Sequence, residues 1–329
     1  MLLCSGFVFI NRNVIFAESE DVKPERSDVI TVADNLTVEE FEKFCKTASA
    51  QDIENFLKEK GLSADVMLKG KNDSGEEYQA SLFISAISNT SDIEVIKTLI
   101  SLGADVNVRD GRAFLYTTNP DVVALLLENG ANLYAGDDSY EGNVFMRWLD
   151  YWNSPIWYEI HEEENTSKNT NETSSNSLEN GIWNIHRTIT YDISKEKQEN
   201  ILKIASLFLE HGYDVNHKDK YNGRTILMKA VPNLHWAMPE ENLNLKASII
   251  SMLIKAGADV NAVDNSGQTV LTYSIDSHGV QGKAVDIEKT VSMLIEAGAD
   301  INAKTEYHGL KGITALMKLF FGIYHQDEK

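Results

Sequence analysis

Two cysteines in 329 residues, Cys4 and Cys45, with no CxxC, supply neither a disulfide framework nor a zinc site. No GxSxG, HExxH or Walker-type phosphate loop stands anywhere in the chain, so acyl transfer, zinc proteolysis and nucleotide-phosphate binding lack their usual residues. Positive charge is also short. Thirty Lys and Arg face 50 Asp and Glu, a formal net charge of -20. A surface of that sign repels phosphate backbones and anionic lipid, which disfavours nucleic acid and membrane surfaces and leaves basic or neutral protein surfaces as partners. The same acidity serves to keep a long chain soluble. The apolar run MLLCSGFVFI over residues 1–10 is too short to span a bilayer, so no membrane insertion is expected.

That run continues into VIFA at residues 14–17, with the small Ala17 placed as in a cleavage site. Residues 1–17 are therefore expected to form an export signal, which would deliver the chain to a periplasmic or secreted location. Against this, no Lys or Arg precedes the run, and Asn11, Arg12 and Asn13 interrupt it; without export the location is cytoplasmic. Residues 18–36 are charged, contain Pro24 and lack helical periodicity, and so read as a linker.

What the chain does have is repetition. Residues 103–107 read GADVN, 212–216 GYDVN, 257–261 GADVN and 298–302 GADIN, and 130–133 give a worn GANL. A second phrase recurs as GRTIL over 223–227, GQTVL over 267–271 and GITAL over 312–316. Segments with apolar residues at three- and four-residue spacing run into each glycine of the first phrase. Glycine ends a helix in the left-handed conformation without a side-chain clash. The Asp or Asn that follows satisfies turn backbone. Thr225, Thr269 and Thr314 are placed to cap the next helices, an effect of about 1 kcal/mol each. Repetition on this scale implies stacked units that each touch only their neighbours. The intervals between glycines exceed a unit of about 33 residues in most cases, and the surplus falls between the first and second helix of a unit.

These phrases resemble the ankyrin repeat, and the resemblance extends over residues 38–323. It implies an all-α solenoid of stacked helix-turn-helix units with short finger turns and long insertions between paired helices. The repeat domain is expected at 37–323, with six units, a terminal half and a tail at 324–329. Helix pairs are expected near 38–60, 79–102, 113–129, 143–211, 224–256 and 268–297. A last helix over 313–323 would close the stack through Leu316, Leu319, Phe320 and Ile323 beside Lys318. The pattern departs from the family at Ile226, Val270 and Ala315, which stand in the place of Pro. Ala113 and Val144 stand in the place of the capping Thr, which predicts uneven curvature over 111–146.

All five tryptophans fall in two adjacent units. Trp148 and Trp152, four apart on a helix, are expected in the core. Trp157, Tyr158 and Trp183 lie within the 153–197 insertion and Trp236 in the next one, and they are the leading partner-binding candidates because aromatic anchors dominate binding hot spots. The resemblance implies a binding surface along the fingers and first helices. There Arg109, Arg112, Tyr134, His217, Lys218 and Tyr221 are candidates, with Asp264 and Asn265 beyond them. The expected function is a non-enzymatic, monomeric scaffold for a protein partner, with no cofactor and no metal. The alternatives are a ligand or metal pocket at the 153–197 insertion, or an effector acting on host proteins.

Overall fold

The computed structural model describes residues 32–72, 75–136, 142–153, 194–231, 240–275, 285–307 and 310–318. The expected leader over 1–17, most of the insertion, Trp157, Tyr158, Trp183, Trp236 and the tail at 324–329 lie outside these residues.

The first unit shows how local chemistry starts each helix. Strand β1 (Val32–Thr37) leads into α1 (Val38–Cys45), and α2 (Ala50–Lys60) follows. Thr37 Oγ1 accepts from the Glu40 amide at 3.2 Å while the Glu40 carboxylate accepts from the Thr37 amide at 3.0 Å, a reciprocal cap; Ser49 and Asp52 repeat it at α2. Phe41, Cys45, Ile53 and Leu57 form the buried stripe of this pair. The β1 strand reaches back into the stretch that composition assigns to a linker, and it buries Ala33 and Leu36.

The second unit opens with a hairpin, β2 (Met67–Lys71) and β3 (Glu77–Ser81), and β1 pairs parallel to β2. Helices α3 (Leu82–Asn89) and α4 (Ile93–Ser101) complete it. In the third unit, the single turn α5 (Val108–Gly111) precedes a 3-10 helix, η1 (Arg112–Tyr116), and then α6 (Pro120–Glu128). Thr117 is extended, and Pro120 opens α6, so little chain remains for a first helix. Local backbone irregularity does occur within 111–146, in the form of this 3-10 helix. The fourth unit pairs α7 (Val144–Asn153) with α8 (Lys195–Glu210). The fifth pairs α9 (Ile226–Ala230) with α10 (Glu240–Lys255), and the sixth pairs α11 (Val270–Ser274) with α12 (Val285–Glu296). A second hairpin, β4 (Thr305–Tyr307) with β5 (Leu310–Ile313), ends in a helical turn at 315–318. The structure thus adds two small finger sheets to the expected helical array.

Two continuous layers result. First helices contact in the order α1, α3, η1, α7, α9, α11, and second helices in the order α2, α4, α6, α8, α10, α12. Each unit seals the apolar flank of the one before it, and the buried residues form a single cluster from Ala33 to Ala315. The extra residues fall where the spacing predicts, between α7 and α8, α9 and α10, and α11 and α12.

The repeated phrase now has a mechanism. Its glycine is left-handed at every closure, for example φ 91° at Gly257, where the Gly257 and Ala258 amides donate to Ile254 and Leu253 carbonyls. The acidic or Asn side chain two residues later takes the amide of the fourth residue past the glycine, as Asp259 does from Asn261 at 2.8 Å. That fourth residue reaches across to the next unit. Asn261 Nδ2 donates to the Gly298 carbonyl at 3.0 Å, and its Oδ1 accepts from the Asp300 amide at 2.7 Å. Asn216 does the same with Gly257 and Asp259, and Asn107 with Gly130 and Asn132. Asp65, in a first unit with no legible phrase, accepts from the Asp105 amide. A rung of side-chain bonds therefore joins each finger to the next.

Two caps and the stack closure differ from expectation. Thr269 caps α11 through the Thr272 amide, and Thr314 accepts from Met317 at 3.4 Å. Thr225 has the extended cap conformation, yet its hydroxyl is buried with no hydrogen-bond partner among the described residues. Asn143 fills the vacancy ahead of Val144 by accepting from the Met146 amide at 3.2 Å. At the last turn Leu316 is 62% exposed and does not close the stack. Ala315 and Lys318, three apart on the inward face, are buried instead, and Lys318 Nζ donates to Gln268 Oε1 at 2.8 Å. Leu319, Phe320 and Ile323 lie outside the described residues.

Replacing Asn261 by Ala removes one rung and is expected to cost about 1–2 kcal/mol, since each net hydrogen bond contributes about 1 kcal/mol. Because coupling is nearest-neighbour, urea unfolding should broaden or split as the terminal hairpin beyond Gly298 melts early; an unchanged single transition would contradict the rung. Cys45 is fully buried, and burial, aided by Glu42, pushes its thiol up to about 12. In a Cys4→Ser chain, a thiol reagent at mildly alkaline pH should label Cys45 only after denaturant is added, and rapid labelling of the native chain would contradict this packing.

Candidate functional site

The middle of the array is held by aromatic rings. Phe208 of α8 meets Phe145 at 4.6 Å, Phe114 at 5.5 Å and Trp148 at 5.6 Å between ring centroids, so rings from η1, α7 and α8 converge. Trp148 is fully buried, as its helical spacing with Trp152 predicts. Its indole N–H has no hydrogen-bond partner among the described residues, a cost of about 1–3 kcal/mol that the ring contacts offset. The α7–α8 pair therefore stays docked although its connection is long. Loop closure becomes costlier only slowly with length, so burying these rings is sufficient.

Tyr134 extends this cluster into the fingers. It stands four residues after Gly130, where the other phrases have Asn or Asp, and its hydroxyl accepts from the Asp214 amide at 2.9 Å. Its ring stacks on Tyr213 at 5.4 Å and meets His217 at 4.6 Å. Tyr213 is itself anchored by Asn143 Nδ2 at 2.9 Å. Two of the candidate residues, Tyr134 and His217, are thus brought together by the rung that the worn phrase lacks in its usual form.

The other finger candidates occupy different positions. Arg109 sits at φ 50° and donates from Nη2 to the Gln79 carbonyl at 2.6 Å, which ties its finger to β3. Arg112 is half-buried at the start of η1. Lys218 donates from Nζ to the Val263 carbonyl at 2.6 Å, strapping the fifth finger to the sixth. Tyr221 is 57% exposed, and its carbonyl accepts from Asn265 Nδ2 at 3.3 Å. Arg109 and Arg112 share one finger, well separated in the array from Lys218 and Tyr221.

Asp264, expected on the surface, is buried. It accepts from the Ser266 and Gln268 amides, both at 2.8 Å, and from the Tyr273 hydroxyl at 2.6 Å, so it organises its own turn. Burial and this hydrogen bond raise the Tyr273 pKa. Arg224, which sequence reasoning missed, joins the group. Its Nε donates to the Tyr273 hydroxyl at 2.8 Å and its guanidinium lies 5.0 Å from the ring centroid. The signal available in the sequence was its place between Gly and Thr in GRTIL, where the matching phrases carry Gln268 and Ile313.

Away from the fingers, an open groove of about 550 Å³ runs between α10 and α12, lined by Ser248, Ser251, Met252, Lys255, Lys289 and Met293. Among the described residues no group of three His, Cys, Asp or Glu side chains is arranged to hold a metal ion, and no helix is long and apolar enough to cross a membrane.

The two helix layers and bridged fingers define a repeat solenoid. Residues 192–305 match the family model for ankyrin repeats in three copies. Over 98 residues it is 33% identical to an ankyrin repeat protein of Fowlpox virus (strain NVSL), a match covering 29% of this chain and 13% of that relative's length. The solved ankyrin repeat domain of Bcl-3, described as a unique member of the IkappaB protein family, aligns with a TM-score of 0.50 over 87% of this chain and 95% of that one, at 20% identity. That likeness speaks to the fold alone. An ankyrin repeat domain from Acinetobacter baumannii AYE aligns with a TM-score of 0.43 over 75% and 93% of the two chains, at 22% identity.

Tyr134→Phe deletes the acceptor for the Asp214 amide but keeps the ring, and is expected to cost about 1 kcal/mol. Tyr134→Ala should cost about 1 kcal/mol more by removing the stack on Tyr213 as well. Chemical denaturation of both variants checks this; equal losses would mean that the ring contributes nothing.

Proposed function

We propose that this chain is a non-enzymatic protein-binding scaffold. Its surface is a row of fingers, held in register by side-chain rungs, that meets a partner without first having to order itself. The observation supporting this reading is the fixed spacing of neighbouring fingers: each is bonded to the next through residues such as Asn216 and Asn261, so little conformational entropy remains to be lost on association. Finger positions around that frame vary in sequence, as a partner-specific surface requires: Arg109 and Arg112 in one finger, Tyr134 and His217 at a joint, Lys218 and Tyr221 in another. Trp157, Tyr158, Trp183 and Trp236 are proposed as aromatic anchors beside them, on their sequence positions. Export directed by residues 1–17 is part of the proposal on sequence grounds, and a mature mass beginning at Glu18 is its expected signature.

Affinity capture compares the whole chain with one lacking residues 159–181 and with the triple variant Trp157→Ala, Trp183→Ala, Trp236→Ala. The whole chain should retain a specific partner. The triple variant should lose it with little change in melting temperature. A large loss of stability would instead make these rings part of the core, and failure of the whole chain to retain any partner would sink the scaffold reading.

A further inference from the structure

The tip of the fifth finger gathers cations in an otherwise acidic chain. Between residues 217 and 224 the charged side chains at the surface are Lys218, Lys220 and, half-buried, Arg224; the carboxylate of Asp219 is only 2% exposed. Asp219 is occupied within its turn, where it accepts from the Asn222 amide at 2.5 Å and the Arg224 amide at 3.2 Å. In the adjoining finger, Asp264 is likewise buried and engaged. At the finger tips the cations thus face outward while Asp219 and Asp264 face inward; the exposed carboxylates, Asp214 and Asp259, stand at the finger bases, in a chain whose formal net charge is -20. Tyr221 and Val263, 57% and 43% exposed, add apolar surface beside them.

Arg224 gives this patch a direction. Its Nε donates to the Tyr273 hydroxyl at 2.8 Å, and that hydroxyl donates to Asp264 at 2.6 Å, so the guanidinium is held by a relay and by the ring beneath it. Nη1 and Nη2 make no hydrogen bond or ion pair among the described residues. A planar fork held this way matches a carboxylate bidentately and loses little side-chain freedom on binding.

We propose that these two fingers dock a short acidic segment of a protein partner, with Arg224 gripping one of its Asp or Glu carboxylates and Lys218 and Lys220 flanking it. The proposal rests on the scaffold reading and names the partner's chemistry. A long polyanion such as nucleic acid would run onto the surrounding acidic surface, whereas a short segment stays within the roughly 8 Å over which the local cations are felt at physiological salt.

The test is fluorescence anisotropy of the full chain with a short labelled peptide rich in Asp and Glu and carrying one Tyr. A Lys-rich peptide and a single-stranded oligonucleotide serve as comparisons. Saturable binding of the acidic peptide is expected, weakening as salt rises. Arg224→Gln should weaken it about tenfold, in the range of a lost charge-assisted pair. Arg224→Lys should restore only part of the affinity, because the charge returns without the fork. Tyr273→Phe keeps the ring and should weaken binding by releasing Nε, which gives an independent reading if Arg224→Gln proves unstable by circular dichroism. No binding of the acidic peptide, binding indifferent to both Arg224 and Tyr273 variants, or equal binding of the oligonucleotide would overturn the proposal. So would a captured partner that is retained equally by Arg224→Gln, and in that case the scaffold reading would still stand.

Discussion

The side chain that leaves one finger and closes on the backbone of the next is the bond on which this array depends for its register. Apolar burial holds the helices together but tolerates sliding, because it is roughly proportional to area and has no direction. A carboxamide that must reach the Gly298 carbonyl with one end and the Asp300 amide with the other permits a single alignment of neighbouring units. The same phrase position serves at Asp65, Asn107, Tyr134, Asn216 and Asn261, so the constraint runs the length of the described array. Its usefulness is positional, since exposed hydrogen bonds of this kind are individually modest in energy.

Most of this plan was legible in the residues because it is written in short-range chemistry. Gly257 ends a helix, Asp259 satisfies its own turn, and Thr269 caps the next helix; each follows from geometry within a few residues. The parts that stayed hidden depend on contacts across units. Nothing local announces that the Tyr134 hydroxyl substitutes for a missing carboxamide by accepting from the Asp214 amide. The orientation of the last turn was misjudged for a similar reason. Apolarity favours Leu316, whereas the frame set by Thr314 buries Ala315 and directs Lys318 to Gln268 and Thr272.

The candidate site was legible only in part. His217, Lys218 and Tyr221 were recognisable as finger residues, but their pairing with Tyr134 and with the sixth finger is a property of stacking. Net charge was the more misleading guide. A value of -20 describes the field far from the surface, whereas recognition depends on which charges are exposed at one spot. Where turn carboxylates are consumed by backbone amides, as Asp219 and Asp264 are, an acidic chain can present a cationic face.

The joint between the fourth and fifth fingers is made differently from those on its C-terminal side. There a single hydroxyl bond accompanies a stack of rings from Tyr134 through Tyr213 to Phe145, whereas the joints beyond it rest on doubly bonded carboxamides. Burial of rings loses strength on cooling, while directional amide bonds do not share that temperature law. The strength of this seam therefore varies more steeply with temperature than that of the carboxamide joints beyond it.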